Sequence, residues 1–200
     1  MSAHEQTCGV VLAGGRSSRM GRDKAALRMP DGETFLEHAL ALLGDLPLQE
    51  VRVSGMRPGG VPDPVADLGP IGGLCGVARI TSADSLLVIP VDMPLLSPAQ
   101  LYPLLQAGRQ SGRACYFGHF YLPLWLPLNA PVYDFLEEAV SGAGPNSIRA
   151  LLARADALSL PLTDGDAAFH NINTPADYAL HCTTGQSVTA VPGGHSFISL

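Results

Sequence analysis

The sequence predicts an α/β fold: three-layer α/β/α with a mostly parallel, Rossmann-like sheet. Three observations carry that expectation. Apolar runs of strand length alternate along the chain with stretches of helical period. Two of the runs, Val10 to Leu12 and Leu86 to Val91, are continuously apolar but for Pro90, the pattern of strands covered on both faces. The first run leads directly into Ala13 to Lys24, whose glycines, serines and five charged groups offer neither period nor apolar face. A chain of 200 residues needs only one domain to bury a sizeable core. We expect that domain over residues 1–183, with 184–200 as a mobile tail, because from Thr183 the chain turns to Thr, Gly, Ser and Pro.

Taken in order, Thr7 to Leu12 is the first strand. Phe35, Leu36, Ala39, Leu40, Leu42 and Leu43 then recur at helical spacing, with Gly44 as the stop signal. Val51 and Val53 begin a second strand, and Gly55 to Gly73 is a long Gly/Pro-rich loop of the functional sort. An apolar helix follows through Leu74, Val77, Ala78 and Ile80. The dense run Ser85 to Val91 predicts a central strand that ends at Asp92-Met93-Pro94, and ligands of open α/β sheets bind at such carboxyl ends. Ser97-Pro98 caps a helix reaching about Gln110. Ala114 to Phe117 and Phe120 to Leu126 read as strands around Gly118-His119, the second at a sheet edge because of Pro123. Val132 to Val140 and Ser147 to Ala153 read as helices, and Leu158 to Leu162 as a last strand. Finally Thr174, Pro175 and Asp177 form a helix start at N-cap, N1 and N3, with the helix ending near Cys182.

Composition removes several function classes. A net charge of −6 with only 12 Lys and Arg disfavours a nucleic-acid surface. No apolar run approaches the roughly 20 residues that cross a bilayer, so no membrane partner is expected. The amino terminus lacks a basic segment followed by an apolar one, which points to the cytoplasm. Cys8, Cys75, Cys115 and Cys182 show no C-x-x-C spacing, so neither a zinc site nor a disulfide framework is expected.

Against that acidic background, Arg16, Arg19, Arg22 and Lys24 fall within nine residues. Small residues let backbone N–H groups approach a ligand, and the cations add fixed charge, so the stretch suits the phosphates of a nucleotide. A solvated basic loop is the alternative. The glycines do not follow the G-x-G-x-x-G spacing of dinucleotide-binding dehydrogenases. Asn171 and Asn173 flank Ile172, so alternation puts both amides on one side of an extended stretch, for a ligand or for turn chemistry before Thr174-Pro175.

The set LAGGRSSRMGRDK (Leu12 to Lys24), DLGPIGG (Asp67 to Gly73), VIPVDMP (Val88 to Pro94) and NINTPAD (Asn171 to Asp177) resembles the molybdenum cofactor guanylyltransferases. These are nucleotidyltransferases of the glycosyltransferase-A type, so the resemblance implies a fold of the nucleotide-diphospho-sugar transferase type. It implies attack by the terminal phosphate of the molybdopterin cofactor on the α-phosphate of GTP, with loss of pyrophosphate. By the same resemblance Leu12, Ala13, Gly14 and Gly15 would line the nucleotide, Lys24 and Arg19 would hold the triphosphate, and Asp67 would contact the nucleotide. Asp92 would bind Mg²⁺ as well as nucleotide, making Lys24, Arg19 and Asp92 the catalytic set, and Asn171 and Asn173 would meet the acceptor. GTP and the molybdopterin cofactor are the implied small-molecule partners, with cofactor-biosynthesis proteins or molybdoenzyme chaperones as protein partners. The chain departs from the family pattern at Met56, where an asparagine often follows the second strand; a thioether cannot donate or accept as an amide does. A cytidylyltransferase for molybdopterin or another small phosphorylated acceptor, and a non-catalytic nucleotide- or cofactor-binding chaperone, stay open at this point.

Overall fold

The computed structural model describes residues 6–14, 23–163 and 165–182. Gly15, Arg16, Arg19, Arg22 and the segment 184–200 lie outside the described residues. Strand β1 (Thr7–Leu12) and strand β3 (Ser85–Pro90) are buried at every position, and their side chains divide the core by parity. Cys8, Val10, Leu12, Leu86 and Val88 face α2 (Pro70–Ala78), α4 (Ala130–Val140) and α5 (Ile148–Arg154). Val11, Leu87 and Ile89 face α1 (Phe35–Gly44) and α3 (Pro98–Ser111). The continuous apolar runs thus become the middle layer of three.

With β2 (Glu50–Ser54), β4 (Cys115–Phe117), β5 (Phe120–Pro127) and β6 (Leu158–Leu160), the six-stranded sheet has the order β2-β1-β3-β5-β4-β6. Strand β1 pairs in parallel with β2 on one side and β3 on the other. The β4–β6 pair is parallel as well, and only β5 runs against its neighbours. The chain leaves β1 toward β2 and returns across it to β3, so a topological switch point lies at the carboxyl ends of β1 and β3.

Two local expectations are corrected. Pro123 suggested an edge strand, but β5 lies inside the sheet. Its ladder with β3 spans Pro127 to Leu124, and against β4 the register jumps from Leu124 to Phe120. Tyr121, Leu122 and Pro123 therefore sit in a bulge, where the missing proline N–H interrupts no ladder. Helix α2 ends at Ala78, earlier than the apolar pattern implied, and Ile80 is exposed. Helix α1 opens on a capping box of Thr34 and Glu37 and keeps Gly44 as its last residue. Cys8, Cys75 and Cys115 are free and buried, and burial pushes the Cys8 thiol up to about 11. Among the described residues no helix is long and apolar enough to cross a membrane.

Trp125 on β5 is fully buried because α3 presents Gly108 to it: a Cβ there would stand 2.1 Å from the indole Cδ2. Gly44, also helical, has nothing within 4 Å of its Cβ direction. The two glycines predict alanine variants of opposite sign. Gly108→Ala must displace a rigid ring and is expected to lose about 1–3 kcal/mol by overpacking. Gly44→Ala is expected to gain about 0.5–1 kcal/mol from backbone entropy. Urea unfolding of both variants against the parent chain measures the difference.

Candidate functional site

Leu12 pairs with Pro90 in the β1–β3 ladder, so Ala13-Gly14 and Val91-Asp92 leave the sheet side by side. The Val91 N–H donates to the Leu12 carbonyl at 3.1 Å, and the Ala13 N–H donates to the Ser54 carbonyl at 3.1 Å. Gly55, at φ 132°, packs so closely that a Cβ would stand 3.0 Å from the Gly14 nitrogen and 3.1 Å from its Cα. Only glycine allows this approach of two backbones. Behind them Asp63 is partly buried, and burial raises its carboxyl above the usual range while a hydrogen bond with Ser54 opposes the shift.

The sequence placed Lys24 in a loop; it opens a 3-10 turn, Lys24–Ala26, capped by Asp23, whose Oδ1 accepts from the Ala25 N–H at 3.1 Å. The turn aims the Lys24 ammonium across the mouth of the sheet. Its Nζ donates to Asp92 Oδ2 at 2.7 Å and to Asn173 Oδ1 at 2.5 Å. The lysine and aspartate side chains are only 18% and 15% exposed, which makes this a sheltered ion pair, unlike the surface type that is worth little.

Asn173 reaches Lys24 because the chain returns over the sheet after β6 as a strap. The strap consists of the 3-10 turn Ala167–Phe169, the extended Asn171 to Asn173, and α6 (Pro175–Cys182). Ile172 is fully buried and its N–H donates to the Asp92 carbonyl at 2.8 Å. Asn171 and Asn173 are exposed on the other side, as the alternation predicts. Phe169 holds one end of the strap, with ring centroids 5.3 Å from Phe117 and 5.1 Å from Phe120. At the other end Tyr178 stacks on Phe35 at 6.2 Å and donates its hydroxyl to the Arg28 carbonyl at 2.5 Å.

A cavity of about 250 Å³ is lined by Leu12, Ala13, Gly14, Lys24, Asp92 and Asn171, among others. It adjoins a wider groove of about 680 Å³ that includes Phe120, His170, Asn171 and Asn173; Leu122 and Asn171 belong to both. The structure thus brings most of the sequence-selected residues to one place. Asp67 is an exception: exposed, at φ 64°, it stands outside the lining of both cavities. Arg19 and Gly15 lie outside the described residues. Met56 is 89% exposed, whereas Arg57, which sequence reasoning passed over, turns inward to the Ala13 carbonyl at 2.8 Å.

A family model described as "MobA-like NTP transferase domain" matches residues 9–160. The chain belongs to that family. It is accordingly a nucleotidyltransferase. A molybdenum cofactor guanylyltransferase of Xanthomonas euvesicatoria is 43% identical over 184 residues, covering 90% of this chain and 96% of that one. Among solved structures, molybdopterin-guanine dinucleotide biosynthesis protein A of Archaeoglobus fulgidus superposes with a TM-score of 0.67 at 24% identity, over 88% of this chain and 97% of that one. The 2-C-methyl-D-erythritol 4-phosphate cytidylyltransferase of Thermus thermophilus has the same fold, with a TM-score of 0.61 at 19% identity over 87% and 96% of the two chains. The MobA-like fold is therefore shared by enzymes named for different bases and acceptors, and the fold alone does not choose among them.

Asp63 generates a prediction for this MobA-like chain. Its folded pKa is raised above the unfolded value, so its contribution to stability is complete below the unfolded pKa and is lost as pH rises through the folded one. Asp63→Asn, which keeps an acceptor for Ser54, is expected to unfold at higher urea than the parent chain at pH 7. The gap closes as pH falls below the ordinary carboxylate range.

Proposed function

We propose that this chain transfers GMP from GTP to the terminal phosphate of the molybdopterin cofactor, releasing pyrophosphate. The observation that carries the reading is the Lys24 ammonium held between Asp92 and Asn173 where the two cavities meet. The guanylyltransferase name and broad coverage of the Xanthomonas relative support the choice of substrates.

Joining two phosphate anions demands charge neutralisation and in-line positioning more than proton transfer. The residues match that demand. Backbone groups of Leu12, Ala13 and Gly14, with Gly15 following, line the nucleotide, and Lys24 with Arg19 holds triphosphate oxygens. Asn171 and Asn173 orient the acceptor, which enters by the wider groove. Met56 faces solvent, so base reading falls to the backbone of the β1 end.

The donor set fits a hard divalent cation such as Mg²⁺. Among the described residues no group of three or more His, Cys, Asp or Glu side chains is placed to hold a metal ion, and the Asp92 carboxylate that lines the smaller cavity would be the protein's ligand to it. A single carboxylate complemented by substrate phosphates and waters is how Mg²⁺ is usually bound. When bound, the ion supplies charge neutralisation for the triphosphate. Reaction in the cytoplasm, beside cofactor-biosynthesis proteins or molybdoenzyme chaperones, completes the proposal.

Lys24→Ala and Asp92→Ala are each expected to lower kcat/KM by about 10²- to 10³-fold. Asn173→Ala is expected to cost about tenfold, the worth of one hydrogen bond to a charged group. The measurement is pyrophosphate release with GTP, Mg²⁺ and molybdopterin, repeated with CTP. Turnover with CTP and none with GTP rejects the guanylyl assignment, and full turnover by Asp92→Ala rejects the metal-binding role.

A further inference from the structure

Arg57 joins two parts of the site that are separate in sequence. Its Nη2 donates to the Ala13 carbonyl at 2.8 Å and pairs with Asp23 Oδ2 at 3.3 Å, with Oδ1 of the same carboxylate at 3.4 Å. Ala13 is the middle residue of the Leu12–Gly14 stretch that lines the smaller cavity, and Asp23 caps the turn that carries Lys24. The side chain is 19% exposed, against 89% for the neighbouring Met56. The loop holding it is itself braced: the Arg57 N–H donates to the Gly55 carbonyl at 3.0 Å, and the Gly60 N–H donates to the Arg57 carbonyl at 2.9 Å. Ser54 and Val61 close the base of that loop as a β-bridge.

We propose that Arg57 is a positioning residue, a clasp that sets the placement of the Lys24 ammonium relative to the Leu12–Gly14 backbone. The inference rests on the transfer reaction proposed above but adds a residue that does not itself touch substrate. The guanidinium is anchored on the Ala13 carbonyl and meets the Asp23 carboxylate, itself 56% exposed, from that fixed position, so it ties the turn to the end of β1. Lys24 therefore arrives preorganised, at no reorganisation cost when charge develops on the transferring phosphate. Loss of the clasp should damage turnover more than ground-state binding, because a cation displaced by about 1 Å can cost about 10²-fold in rate.

The experiment is a double-mutant cycle with Arg57→Ala, Lys24→Ala and the combination, reading kcat and KM for GTP by pyrophosphate release in the full chain. Arg57→Ala is expected to lower kcat by about 10²-fold while KM for GTP moves by less than about threefold. In the Lys24→Ala background it is expected to cost nothing further. Arg57→Lys, which keeps a donor for both partners, restores part of the loss. Additive losses, or a kcat for Arg57→Ala within about twofold of the parent, overturn the clasp. Should Arg57→Ala fail to fold, Asp23→Asn, which preserves the cap and removes the charge, is expected to reproduce the kcat loss, and its absence overturns the proposal.

Hydrogen exchange at the Ala25 and Leu27 amides gives a readout independent of chemistry, since these donate to Asp23 and to the Lys24 carbonyl. Arg57→Ala is expected to speed both by about tenfold or more, and unchanged exchange overturns the clasp. A parent chain that turns over no GTP would defeat the functional reading instead, and exchange alone would then judge Arg57.

Discussion

The arrangement depends on one constraint: three residues far apart in sequence must meet where β1 and β3 end. Lys24 and Asp92 are 68 positions apart, and Lys24 and Asn173 are 149 apart. A sheltered ammonium next to a carboxylate is costly to desolvate unless its remaining donors are satisfied, and the Asn173 amide oxygen supplies one partner. The rest of the fold can be understood as what holds those three groups still. The parallel β1–β3 pair fixes Asp92 relative to Ala13, the capped turn fixes Lys24, and the strap delivers Asn173.

Much of this was legible in the sequence where local chemistry decides it. Continuous apolar runs identified β1 and β3, and alternation around Ile172 put Asn171 and Asn173 on one side. Lys24, Asp92 and the Leu12–Gly14 backbone were singled out from motif and strand position, and the structure gathers them around one cavity. Illegible was whatever long-range pairing decides. The interior place of β5 depends on a register jump that parks Pro123 in a bulge, and the sequence marks only the proline. Asp67, singled out by its motif, stands exposed in the turn before α2 and outside the lining of both cavities, a placement that the motif does not show.

Arg57 shows the same limit within a single step of chain. The family pattern drew attention to Met56, where an asparagine often stands, but the backbone at Gly55 leaves the ordinary β region and the side chain that turns inward is Arg57. The closeness of Gly55 to Gly14 is a tertiary fact with no one-dimensional signature, since either glycine alone reads as a turn residue. Asp23 is similar: its capping role follows from the short turn behind it, and its ion pair with Arg57 from a loop more than thirty residues downstream, at a separation of 34 positions.

The strap has a bearing on how the molecule is made. During synthesis the six strands are complete once Leu160 has left the ribosome, whereas Asn173 and the Tyr178 anchor emerge later. The sheet can therefore form before the mouth is finished, and the Lys24 ammonium waits for the segment after β6 to bring its amide partner. Of the three groups the Asn173 amide is made last, so a half-made chain carries the ammonium and the carboxylate without the oxygen that joins them in the finished fold.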